Sequence, residues 1–114
     1  MNRLIFTTPF LSGLLIISGI LLEAQSKAKS IPDLPEAVTS FGACKLGNFV
    51  YVYGGHVGEA HVYSKATHSQ SFVRFNLKTG KKWEKLPFNQ SLQGLGMAAY
   101  KGKIYIAGGS QATN

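Results

Sequence analysis

The chain has 114 residues, a formal net charge of +7, a single cysteine and 15% charged residues. One cysteine excludes an intrachain disulfide. The glycines provide no phosphate-binding loop, since none is followed by Lys-Ser/Thr or by a helical pattern, and the sequence gives no support to P-loop, transport or nucleic-acid chemistry.

Residues 1–26 form the first expected element. Arg3 supplies a basic start, residues 4–22 are uncharged and rich in Leu, Ile and Phe, and Ala24 and Ser26 put small residues where a signal peptidase cuts, before Lys27. The reading is a cleaved export signal that delivers the protein to the periplasm or the cell exterior. The alternative is a membrane anchor, because residues 4–22 as a helix would reach roughly 28 Å. Residues 27–40 read as a linker.

The strands come next. Apolar runs predict strands at residues 41–46, 49–53, 72–77, 83–86, 95–100 and 104–107. The segment FGACKLGNFVYVYGG returns as LGMAAYKGKIYIAGG without a gap, 54 residues later, and both copies end in Gly-Gly. A repeat of this length ending an apolar run in paired glycines is one blade of a β-propeller. The fold class is therefore all-β, with blade 1 at 41–94 and an incomplete blade 2 at 95–114, about one and a half four-stranded blades. Residues 43–53 and 97–107 are expected to superpose.

Strands 49–53 and 104–107 are apolar on both faces, so each face calls for a packed neighbour. The expectation is a portion of a larger propeller, closed by further blades or by another chain. Leu34-Pro35 and Leu86-Pro87 mark the entry to each blade, where proline, lacking an N–H, ends strand pairing. Cys44 falls on Ala98 at the repeat offset and shares a face with Gly42 and Leu46, which suits a small packing residue. Lys78, Lys81, Lys82 and Lys85 surround Trp83; they read either as a solvated, lysine-guarded turn or as a patch for an anionic partner.

On these residues the chain resembles the kelch-repeat family. Gly54 and Gly55, then Phe75 and Trp83, follow the family pattern of doubled glycine, aromatic and tryptophan, and Gly108 and Gly109 begin it again. Two departures stand out: Phe replaces the usual Tyr, and the step from Phe75 to Trp83 is one residue longer, placed at the turn around Gly80. The loop GGHVGEAHVYS also resembles exported bacterial galactose-oxidase-like propellers.

All three histidines lie in the long connection 56–71. Such loops carry recognition or are simply solvated. His56, His61, Tyr63 and His68 are the candidate ligand-binding residues, expected together on one face, where imidazoles and a phenol hydrogen-bond a peptide or glycan without desolvating full charges. Replacing His56 and His61 by Ala is expected to leave stability nearly unchanged, as for hydrogen bonds lost from an exposed loop. The spacing of His56, Glu59 and His61 matches no helix-borne zinc motif, so no metal, cofactor or catalytic residue is assigned. The resemblance implies a binding module for a protein or carbohydrate ligand, with no nucleic-acid partner. Its alternative is a fragment of an exported propeller enzyme of the sialic-acid mutarotase or galactose-oxidase type.

Overall fold

The computed structural model describes residues 30–113. The expected leader or anchor at 1–26 and the first part of the linker lie outside the described residues. Among the described residues no helix is long and apolar enough to cross a membrane.

Six strands form: β1 Gly42–Leu46, β2 Phe49–Tyr53, β3 Phe72–Asn76, β4 Glu84–Lys85, β5 Gln93–Tyr100 and β6 Lys103–Ser110. β1 to β4 make one antiparallel sheet in sequence order, and β5 pairs with β6 in a second. The first sheet is a four-stranded blade and the second is the opening hairpin of the next, an all-β architecture as the sequence predicts.

The repeat is accurate to the residue pair. Ala43 faces Val52, Cys44 faces Tyr51 and Leu46 faces Phe49; at the 54-residue offset Met97 faces Ile106, Ala98 faces Tyr105 and Tyr100 faces Lys103. The match extends past the strand ends. Thr39 bridges His56 in the first copy, and Gln93 pairs with Ser110 in the second. β6 therefore runs on through Gly108-Gly109, where β2 stops at Tyr53 and leaves the same pairing as an isolated bridge.

β2 finds a partner for each face. On one face, Tyr53 stacks on Phe88 at 5.5 Å and its hydroxyl donates to the Gln90 carbonyl at 2.5 Å, so the connection into the second hairpin is tied to the first sheet. Leu95 and Met97 of β5 lie over Gly42 of β1, close enough that a Cβ at Gly42 would stand 2.9 Å from Leu95. On the other face, Val52, Val73 and Phe75 form the buried centre. Leu34 and Val38 line the same narrow crevice as Val52 and Val73. Trp83 packs against Phe75 with the rings tilted and 5.5 Å apart, and its indole N–H donates to the Pro32 carbonyl at 2.9 Å. Residues 32–39, read as the end of a linker, thus cover the sheet. β6 keeps Tyr105 and Ile106 exposed, which leaves apolar surface of the kind a neighbouring blade covers.

The fourth strand is shorter than expected. It pairs through Glu84 and Lys85 alone, with one further bond from the Leu86 N–H to the Phe72 carbonyl at 2.8 Å, before Pro87 ends donation. Trp83 lies just outside it. The preceding turn is held by Asn76, whose Oδ1 accepts from the Lys78 and Thr79 amides at 2.9 and 3.0 Å. Lys78, Lys81, Lys82 and Lys85 are all exposed there, as a solvated turn requires. Cys44 is a half-buried free thiol on the face it shares with Gly42 and Leu46, and burial pushes its pKa up, which disfavours the reactive thiolate.

Candidate functional site

The connection 56–71 folds back on itself. His56 pairs with Thr39 on one side and with His68 on the other, so both ends of the loop prolong the sheet. The Val57 N–H donates to the Thr67 carbonyl and the Ser69 N–H to the Gly55 carbonyl, each at 2.9 Å. Near the return a single 3-10 turn, Lys65–Thr67, is held by the Thr67 hydroxyl, which donates to the Val62 carbonyl at 2.8 Å and accepts from the Ser64 N–H at 3.1 Å. Only the tip stands clear, with His61 at a positive φ of 65°. Histidine is among the residue types that visit this region more often than most.

The four candidate residues separate by burial. His56 and His68 are buried, 8% and 4% exposed, whereas Tyr63 is 61% exposed and His61 is also exposed. The His56 ring lies 2.9 Å from the Glu59 carbonyl through Nε2 and 3.1 Å from the Gln93 side-chain amide through Nδ1. A carbonyl only accepts, so Nε2 donates; Nδ1 faces Gln93 Oε1, and with the Gln93 amide flipped, its N–H donates to the Nδ1 lone pair. Because Gln93 belongs to β5, this pair joins the loop of the first blade to the second hairpin.

The expectation that replacing the loop histidines leaves stability nearly unchanged therefore fails for His56. His56→Ala removes one buried and one part-buried hydrogen bond and orphans Gln93, itself 9% exposed. It should cost about 1–3 kcal/mol, read as a lower urea midpoint at constant slope. A change below about 0.5 kcal/mol, the range of ordinary surface substitutions, would contradict this role.

The structure brings His56, His61 and Tyr63 together. The His56 and Tyr63 rings lie 6.1 Å apart, those of His61 and Tyr63 6.5 Å, and the Tyr63 hydroxyl is 3.5 Å from His61 Nδ1. With Thr39, Ser40, Ala60 and Gln93 they line an open cleft of about 180 Å³. The His68 side chain borders a different cavity. A larger cleft of about 340 Å³ lies near the β3–β4 edge, lined by Pro35, Glu36, Phe72 and Lys85 among others. It contains none of the loop histidines, and its Glu36 already accepts from the Ser69 hydroxyl at 2.5 Å.

Thr39, Ser40 and Gln93 are members of the cleft that inspection of the loop alone misses. A signal for them does exist: the 54-residue offset matches Thr39 with Gln93 and Ser40 with Gly94, placing both segments beside the Gly-Gly corner. The two Gly-Gly pairs share a left-handed backbone. Gly54 and Gly55 occupy φ values of 63° and 111°, Gly108 and Gly109 values of 70° and 94°. Among the described residues no three His, Cys, Asp or Glu side chains come together as metal ligands.

No protein-family model matches the chain. It is similar to the Kelch repeat and BTB domain-containing protein 2 of Ectromelia virus (strain Moscow), with 33% identity over 70 residues, covering 52% of this chain and 12% of the relative. The protein of the same name from Cowpox virus (strain GRI-90 / Grishak) is 28% identical over 94 residues, covering 72% of this chain and 17% of the relative. The chain thus spans under a fifth of the curated relatives it matches. These similarities support the kelch-repeat resemblance. They give no support to the finer resemblance to exported bacterial galactose-oxidase-like proteins.

Proposed function

We propose that this chain is part of a kelch-type interaction module whose recognition surface is the cleft formed by His56, His61 and Tyr63. The observation that carries the reading is the division of labour in the loop. A buried, doubly bonded His56 fixes the cleft floor while exposed Tyr63 and His61 stand at its rim. An aromatic ring with a polar tip on a fixed base provides contact area with little conformational entropy to lose. The ligand that suits it best is a protein segment, in keeping with the kelch-repeat similarity, and further blades or another chain complete the propeller.

The test is selection of a displayed random peptide library against the full chain, followed by measurement with the paired His61→Ala and Tyr63→Ala variant. Both residues are exposed, so the variant should stay folded while the selected peptide binds about 1–3 kcal/mol more weakly. Equal affinity for the two proteins would return the loop to a solvated connection.

Export belongs to the same proposal. Residues 1–26 direct the chain out of the cytoplasm and are removed before Lys27. Mass spectrometry of the secreted protein should find a chain starting at Lys27; a chain starting at Met1 in the membrane fraction would favour the anchor. The enzyme alternative draws on residues from further blades, and no observation on the described residues favours it.

A further inference from the structure

The order of the strands sorts the lysines to one end of the two sheets. β1, β3 and β5 run one way and β2, β4 and β6 return, so the β1–β2, β3–β4 and β5–β6 turns leave one end of their sheets, and the connections 56–71 and 86–92 leave the other. The sheets share that sense because β1 and β5 start side by side. The Gly94 N–H donates to the Ser40 carbonyl at 2.8 Å, and Leu95 lies against Gly42. The three turns therefore emerge on one face.

That face carries six lysines. Lys45 precedes the first turn, Lys78, Lys81 and Lys82 occupy the second, and Lys101 and Lys103 flank Gly102 in the third; all six are exposed. Among the described residues none of them is in an ion pair, and Arg74 and Glu84, which do pair at 2.8 Å, face each other across β3 and β4. Lys101 Nζ lies 5.2 Å from the centroid of the Tyr100 ring, a cation–π contact that orients the charge without neutralising it. The remaining carboxylates of residues 30–113 stand apart. Glu59 is in the loop at the opposite end, Glu36 is bound there by Ser69, and Asp33 follows Pro32 at the Trp83 margin. Surfaces ordinarily intersperse both signs of charge, and a single-sign field of this kind attracts and steers an oppositely charged partner. Neighbouring strands lie about 4.8 Å apart and packed sheets about 10 Å, so three turns present their charges to an extended polyanion rather than to a point ligand.

The side chains choose among polyanions. Every cation on the face is a lysine, a hydrated point charge, and Arg74, whose fork would suit the phosphates of a nucleic acid, is committed to Glu84. The turn tips, Gly47-Asn48, Thr79-Gly80 and Gly102, offer no Trp, Phe or Leu to enter a bilayer. We propose that this lysine face docks an acidic polysaccharide along its length. The choice of a polysaccharide rests on the export reading, whereas the peptide cleft lies at the opposite end and plays no part.

The test is titration of the purified full chain with heparin, with desulfated and carboxyl-reduced heparin as the neutral control, and with duplex DNA and phosphatidylserine vesicles for comparison. Heparin should bind, more weakly as salt rises, and the neutral form should not. Lys81→Gln with Lys82→Gln, and Lys101→Gln with Lys103→Gln, alter different turns; each pair should weaken heparin binding about tenfold, and the four together should weaken it further. Lys65→Gln with Lys85→Gln removes the same charge from the 3-10 turn and from β4, outside this face, and should change affinity about twofold or less. The proposal is overturned if heparin does not bind, if the Lys65 and Lys85 pair matters as much as either turn, or if DNA or vesicles bind more tightly than heparin at equal anionic charge. Because binding is read on the purified chain, its outcome is distinct from that of export, which is read from the N-terminus of the secreted protein.

Discussion

Gly54→Ala should destabilise the protein by about 3 kcal/mol or more, through backbone strain and a steric clash acting together. Gly54 has φ 63°, and an added Cβ would fall on the carbonyl oxygen of Leu92. That carbonyl cannot simply retreat, because it accepts the Gly55 N–H at 2.8 Å and so fixes the connection between the sheets. Gly108→Ala is the internal control. Its φ is 70°, but an added Cβ meets nothing within 4 Å, so it carries the strain alone and should cost about 1–2 kcal/mol. Urea unfolding of the two variants separates the contributions. Equal losses would show that the Leu92 contact does not constrain the corner.

Phe75→Ala should cost about 3–5 kcal/mol, the range for emptying a fully buried aromatic position. Phe75 is 1% exposed, the most buried large side chain of the sheet, and supports Trp83 from below. Loss of its ring leaves a cavity beneath the indole and loosens the cover formed by residues 32–39. The tryptophan reports both: its emission should shift to the red in the folded variant, and the urea midpoint should fall. Phe75→Leu fills much of the space and should recover more than half of the loss. A midpoint unchanged in Phe75→Ala would place the core elsewhere.

The strands were legible because their apolar residues repeat with a register that two copies confirm. Phe49–Tyr53 matches its expected limits, and the other strands shift by one to three residues at an end. Those shifts have physical causes. Trp83 leaves the ladder because its indole N–H turns to Pro32, and β6 extends because Gln93 meets Ser110 beyond the paired glycines. The loop was less legible. Sequence shows that three histidines share a connection, but their burial depends on partners far along the chain: Gln93 is 37 residues from His56 and belongs to the next hairpin. A polar residue bonded across that separation has no local signature, so His56 and His61 look alike in sequence and differ in the fold. His68 is similar, since its tautomer is set by a local carbonyl that becomes available only once the 3-10 turn forms.

The hydrogen bond between Trp83 and Pro32 also has a consequence for the order of folding. It closes a separation of 51 residues, whereas β1 and β2 meet across a tight turn at Gly47-Asn48. A hairpin of that kind closes in about 1–10 μs, but contacts between distant residues require the intervening chain to be ordered first. The hairpin and then β3 should assemble early, with Val52 and Val73 still open to solvent. The Pro32 end of residues 32–39 is fixed only after Trp83 has arrived to hold it, whereas the Thr39 end is bridged directly to His56. In a protein being synthesised, the segment that precedes the sheet in the chain is thus among the last to take its place, and the valine face of the blade is most vulnerable to wrong partners during that wait.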